Sequence, residues 1–190
     1  LKVSFYIEKN GRLRRSPNME VAEKRNVTAE EIEETGEEHI ILVFSLDGEE
    51  FALGVNEVKE IVRVPPVITR VPNAPAYIRG VINLRGTIVP VFDMELKMGL
   101  TSKELTEDSR IVVVSWGDIQ FGLLVDSVRE VCTVYDSQIE QGSQLNTSME
   151  RKYLLGVVKQ NGGRLVVLLD LVTLFDLDEV IAEETEEVAG

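Results

Sequence analysis

One cysteine and one histidine in 190 residues leave little room for the commonest site chemistries. Cys132 has no partner for an intrachain disulfide, which fits a reducing compartment. Its place in the apolar run Val128-Arg-Glu-Val-Cys-Thr-Val134 reads as a small strand residue. His39 stands at the entry to the first apolar run, with no second histidine and no neighbouring cysteine to help hold zinc or form a Cys-His nucleophile. It reads as an exposed linker residue. No Gly-x-x-x-x-Gly-Lys-Ser/Thr occurs, which excludes a P-loop. No stretch approaches the roughly 18 apolar residues of a membrane span, and the amino-terminal residues lack the basic-then-apolar pattern of a secretory signal, so direct membrane insertion is not expected. Basic side chains are also scarce, 20 against 33 acidic, for a formal charge of −13. A nucleic-acid binder needs a basic stripe to displace counterions from phosphate. The cluster Arg12-Leu-Arg-Arg15 is too short and too close to acidic neighbours to serve as one, and reads as part of a solvated tail.

Hydrophobic residues make up 44% of the chain, enough for a proper core. Charge is unevenly spread: residues 1–38 hold 7 basic and 9 acidic side chains, and residues 176–190 hold 7 acidic and none basic. The first segment shows no sustained period, although Thr28-Ala-Glu-Glu31 has capping-box spacing. We therefore expect a mobile extension over 1–38, a folded domain over 39–175, and an acidic helix end and tail over 176–190.

Within the folded region the sequence repeats itself. Ile41–Ile61 returns seventy positions later as Ile111–Val131, and Gly80–Asp93 is matched by Gly156–Asp170 with one extra glycine. Short runs rich in Val, Ile, Leu and Phe are separated by Asp47-Gly48, Arg85-Gly86, Gly117-Asp118 and Gly162-Gly163, which are hairpin signals. Phe51, Leu53 and Val55 alternate onto one face, as do Phe121, Leu123 and Val125, giving each lobe a core side and a solvent side. Ile111–Val114 and Leu165–Leu169 are continuously apolar, as for strands covered on both faces. Four or five short strands per copy suit a small closed barrel that removes its own edges. The expected fold is all-β: two antiparallel barrel lobes, roughly 40–95 and 110–170, related by internal duplication. Ser102–Asp108 is expected to form a turn or two of helix. A short carboxy-terminal helix is expected to carry its apolar stripe through Leu174, Leu177 and Ile181.

Duplication also raises one enzymatic possibility, a small hydrolase in which Asp93 and Asp170 share a proton as in aspartic proteases. The local sequence opposes it, because neither aspartate is followed by the Thr/Ser-Gly that shapes such an active-site turn. Each is better placed to cap backbone donors after an apolar strand. Three features are left over from folding. Glu60 projects from Val58–Ile61; Arg85 sits in the turn Asn83–Gly86, where Gly86 supplies a positive φ; and Val71-Pro-Asn-Ala-Pro-Ala-Tyr77 is a proline-braced loop whose Pro72, Pro75 and Tyr77 suit a contact platform.

At these residues the chain resembles the CheW family of chemotaxis coupling proteins. Val71–Met94 is similar to the family's most characteristic segment, and Phe51–Ile61, Phe121–Val131 and Tyr153–Phe175 match in order, over about residues 40–176. The resemblance implies two SH3-like barrels and a noncatalytic adaptor without metal or cofactor. Such an adaptor is cytoplasmic, is recruited to membrane-associated arrays, and bridges the tips of methyl-accepting chemoreceptors to the histidine kinase CheA through the kinase's regulatory domain. By position, Val58, Glu60 and Arg85 match residues implicated in receptor coupling, while Gly80, Gly86 and Asp93 frame the motif. A regulatory fragment of a larger kinase or receiver-fused protein would share these features. Met94-Glu95 stands where the family usually has Leu-Arg, and the amino-terminal extension is longer than a minimal coupling protein needs.

Overall fold

The computed structural model describes residues 5–7, 13–15, 35–140 and 153–176. The expected capping box at Thr28–Glu31, and Leu177 and Ile181 of the expected helical stripe, lie outside them. In a first compact unit, β1 (Phe5–Ile7) pairs antiparallel with β2 (Leu13–Arg15).

In the second unit the first repeat forms β3 (Glu38–Leu46), β4 (Glu49–Gly54), β5 (Val58–Arg63), β6 (Ile78–Leu84) and β7 (Thr87–Asp93), followed by the short helix α1 (Met94–Lys97). The second repeat forms β8 (Arg110–Trp116), β9 (Ile119–Val125), β10 (Ser127–Tyr135), the two-residue β11 (Ile139–Glu140), β12 (Leu154–Lys159) and β13 (Leu165–Leu169), then α2 (Leu171–Phe175). Asp47-Gly48 and Arg85-Gly86 both have positive φ at their two residues, the geometry that matches the twist of a tight hairpin.

The two repeats exchange their first hairpins. One sheet has the order β5-β8-β9-β7-β6 and the other β10-β3-β4-β13-β12-β11. Each strand of the first order is replaced in the second by its repeat counterpart. The lobes are therefore not the contiguous stretches 40–95 and 110–170 expected from the sequence. Hairpin β3–β4 completes the lobe of the second repeat and hairpin β8–β9 that of the first. Val55–Glu57 and Asp126 link each hairpin to its next strand and carry the chain on into the other sheet. Parallel pairing of β4 with β13 and of β9 with β7 locks the exchange.

Both sheets close. After β5 the chain returns to pair Thr69 with Val81 of β6, with N···O distances of 3.0 and 2.8 Å. After β10, β11 pairs in the same way with β12. Each order thereby becomes a ring of five strands, the SH3-like lobe.

Three apolar clusters follow from this arrangement. Ile41, Val43, Ala52, Val134, Val158, Val166 and Leu168 fill one lobe, and Ile82, Val89, Val91, Ile111, Val113 and Leu124 fill the other. The largest cluster joins the lobes, with Leu42, Phe44, Phe51 and Leu53 from one side meeting Val112, Val114, Phe121 and Leu123 from the other. Strands β4 and β9 thus lack the solvent side that alternation suggested. Phe51 and Leu53 face the shared core while Ala52 faces the lobe interior, and Phe121 and Leu123 stand in the same relation to Leu124. Ile111–Val114 is buried throughout, whereas Leu165 is exposed.

Both helices are too short to form alone. Asp93 and Asp170 cap them, accepting from the Leu96 and Thr173 amides at 3.2 Å, and Met94, Leu171 and Leu174 anchor them in the shared core. Ser102–Asp108 is not helical, contrary to expectation. Lys103 N–H donates to Glu95 Oε2 at 2.6 Å and Thr106 N–H to Ser109 Oγ at 2.9 Å, so side chains take donors that a helical ladder would need.

Candidate partner-binding surface

The rim of the β5–β9 lobe brings Glu60 and Arg85 together. Glu60 Oε2 and an Arg85 guanidinium nitrogen are 3.1 Å apart, although β5 and the β6–β7 hairpin lie at opposite ends of the strand order. A flat sheet would hold those edges about 19 Å apart at ordinary strand spacing, so the contact depends on closure of the barrel. The Glu60 side chain is only 20% exposed, whereas that of Arg85 is 82% exposed.

Arg85 also occupies a backbone well that disfavours it. Its φ of 53° is left-handed, a conformation costing roughly 1 kcal/mol for a residue other than Gly, Asn or Asp. Asn83 Oδ1 accepts from the Gly86 amide at 2.8 Å and holds the turn in this shape. A turn built only for folding would place Asn or Gly at position 85.

The other lobe provides an internal comparison. Glu130, counterpart of Glu60, pairs with Arg164 at the base of the equivalent hairpin. Arg164 also grips Glu50 through two bonds, Nε to Oε2 at 2.5 Å and Nη2 to Oε1 at 2.9 Å. The two carboxylates push the Arg164 pKa up, and Arg164 holds Glu50 below the usual carboxylate range. The first-lobe counterpart of Glu50 is the neutral Gln120, so among the described residues Arg85 has a single carboxylate partner, and it remains largely open to water. Arg164→Ala is expected to lower stability by about 2 kcal/mol, because Glu50 and Glu130 lose charge-assisted hydrogen bonds. Arg85→Ala should cost under about 0.5 kcal/mol, as befits an exposed pair. Urea denaturation of both variants measures the difference, and equal losses would remove the distinction between the two arginines.

The remaining candidates divide between surface and support. Val58 is half-buried against the shared core. Pro72 and Pro75 are exposed on a braced loop: Asn73 turns with φ 60°, and Ile78 N–H donates to Pro75 O at 2.9 Å. Tyr77 is a packing residue. Its ring stacks on Phe92 at 6.2 Å, Lys97 Nζ lies 4.5 Å from its centroid, and its carbonyl accepts from the Asp93 amide at 2.8 Å. Gly80 and Gly86 are both left-handed, but a Cβ on Gly80 would lie 2.3 Å from the Thr69 carbonyl oxygen, whereas one on Gly86 would meet nothing within 4 Å.

Asp93 and Asp170 do not form a dyad. They follow strands of different lobes, and each is occupied by its own helix cap. Ser102 Oγ donates to the second oxygen of Asp93 at 2.6 Å, and Thr173 Oγ1 to that of Asp170 at 2.7 Å. His39, read from the sequence as an exposed linker residue, has a side chain 39% exposed and bonds Asp136 at 2.7 Å; the Glu37 amide and His39 together hold the Asp136 carboxyl below its ordinary range. Burial pushes the Cys132 thiol up, consistent with a strand residue of low reactivity.

Sequence reasoning missed Glu95. It is 5% exposed, and its Oε1 has no hydrogen-bond partner among the described residues. Burial raises its pKa, and Asp126 and Asp93 add to the shift, against the opposing Lys103 amide. The folded protein therefore binds this proton more tightly than the unfolded chain. That contribution is complete below the ordinary carboxylate pKa and is lost as pH rises through the raised value. Glu95→Gln should stabilise by about 1 kcal/mol at pH 7, or about 3 °C, and by nothing near pH 4. Thermal midpoints of both proteins at the two pH values test this, and a midpoint lowered at pH 7 would mean that the carboxylate is satisfied.

Among the described residues no helix is long and apolar enough to cross a membrane. Comparison with known proteins matches residues 41–179 to the CheW-like domain model. The chemotaxis protein CheW of Bacillus subtilis is 37% identical over 145 residues, 75% of this chain and 88% of that protein. CheW of Rhizobium meliloti is 34% identical over 139 residues, 73% of this chain and 88% of its own length. Among solved structures, the scaffolding protein TtCheW from Thermoanaerobacter tengcongensis superposes with a TM-score of 0.65 at 33% identity, covering 72% of this chain and 92% of that one.

Proposed function

The chain belongs to the CheW family, and from that premise we propose that it is a noncatalytic adaptor coupling the cytoplasmic tips of chemoreceptors to the histidine kinase CheA. It acts in the cytoplasm at membrane-associated receptor arrays. The observation that carries the reading is the Glu60–Arg85 pair, in which a largely exposed arginine is held in a strained turn by one carboxylate. Strain of that kind persists where a side chain serves something other than folding. Arg85 offers a receptor helix the guanidinium N–H donors that Glu60 does not engage, Glu60 fixes its direction, and Val58 stiffens the strand from beneath. The loop at Pro72 and Pro75, braced by Tyr77, precedes β6 at the end away from Arg85 and offers a second contact surface. CheA docks elsewhere on the barrels through its regulatory domain, so both partners can be held at once.

Calorimetric titration with a receptor cytoplasmic fragment and, separately, with a CheA regulatory domain tests the proposal. Saturable heat with each supports a two-sided adaptor. Binding to neither would sink the coupling role while leaving the fold as described.

A further inference from the structure

The face of β5 carries cationic charge that no carboxylate pairs among the described residues. Residues 58–92 hold five basic side chains against one acidic, in a chain whose formal charge is −13; Arg79 and Arg85 pair with Asp93 and Glu60, which leaves Lys59, Arg63 and Arg70. Along β5 the exposed positions are Lys59, Ile61 and Arg63, with Ile61 42% exposed. Arg63 lies directly opposite Arg110 of β8, a cross-strand pairing of like charges that destabilises a sheet. Arg110 donates only to the carbonyls of Glu107 and Ser109, at 2.8 Å each, and neither arginine forms an ion pair among the described residues. Exposed Arg70 and Val67, the latter 73% exposed, continue the face beyond the strand.

We propose that the acidic carboxy-terminal segment of this same chain, residues 177–190, docks on that face. Six of its fourteen residues are acidic and none is basic, and Leu177, Val180, Ile181 and Val188 are interspersed among them. This mixture complements the apolar and basic alternation of Lys59, Ile61 and Arg63. The chain leaves the fold beside the start of β5: the ring of Phe175, at the end of α2, lies 4.9 Å from that of Phe121, Phe121 stands opposite Val114 in the sheet, and Val114 stands opposite Val58, the first residue of β5. Fourteen residues can extend to about 46 Å, more than twice the roughly 20 Å length of β5. Because the segment is tethered, its effective concentration is on the order of millimolar, and a weak, salt-sensitive contact suffices to populate the docked state.

The functional consequence rests on the adaptor reading above. A docked segment crowds the lobe that bears Glu60 and Arg85 and competes with the receptor. If about nine-tenths of the molecules are docked, releasing the segment should tighten receptor binding about tenfold.

The test compares two full-length proteins, the natural chain and one with Glu183, Glu184, Glu186 and Glu187 changed to Gln, by backbone amide NMR. At low salt the amides of Ile61, Arg63 and Arg110 should differ between the two, and the spectra should converge near 0.5 M salt, where the Debye length falls to about 4 Å. Arg63→Glu in the natural chain should reproduce the shifts of the neutralised segment. Identical low-salt spectra overturn the proposal. So do differences confined to Arg12–Arg15, or differences that fade on dilution and so assign the contact to a second copy. If neither protein binds a receptor fragment while the amide differences persist, the adaptor reading fails and the docking stands.

Discussion

Arg85→Glu is expected to weaken receptor binding about a hundredfold while moving the thermal midpoint by no more than about 3 °C. The two effects separate because the guanidinium is 82% exposed and its single ion pair contributes little to folding, whereas a charged pair desolvated by a partner typically costs 2 kcal/mol or more when broken. Reversal also places two carboxylates 3 Å apart on the rim, repelling whatever anionic group the arginine receives. Glu60→Lys should have a similar but smaller effect. The double reversal should restore the midpoint without restoring binding, because the partner meets the sign of residue 85 and not merely the existence of a pair. Unchanged affinity in both single variants would remove these residues from the interface.

Gly80→Val should lower stability by about 4 kcal/mol, about 12 °C in the midpoint, whereas Gly86→Ala should cost only about 1 kcal/mol. The two glycines frame the same hairpin and both have positive φ, but they answer different demands. Gly80 lies where the return of the chain closes the barrel, and any Cβ there would drive into the Thr69 carbonyl oxygen at 2.3 Å. Gly86 turns in open space and requires only its φ of 92°. The same closure in the other lobe brings Gly156 against the Glu140 carbonyl, where a Cβ would lie 2.8 Å away. Thermal denaturation of the two variants separates the roles, and equal losses would mean that the closure tolerates a side chain.

Local chemistry was legible in the sequence and non-local pairing was not. Alternation and turn residues located the hairpins because both signals lie within a few residues of each other. Asp93 and Asp170 could be read as caps for the same reason, since each bonds an amide three positions away. Glu60 and Arg85 are of opposite charge, and closure of the barrel brings the two together. The exchange of hairpins escaped because the repeat fixes which strands correspond, yet nothing local states whether β4 lies beside β7 or β13. The bond between His39 and Asp136 spans 97 positions and leaves no local trace. Glu95 escaped because a charged residue in the first turn of a helix ordinarily faces water. Here the loop at Ser102–Lys103 folds over it and takes one oxygen.

Co-sedimentation of CheA with receptor-bearing membranes, with and without this protein, tests the adaptor role most directly. The account predicts that CheA sediments with receptors only when the natural chain is present, and that the Arg85→Glu protein still binds CheA in solution but leaves it in the supernatant. CheA carried down equally without the chain, or carried down fully by the Arg85→Glu protein, would contradict it.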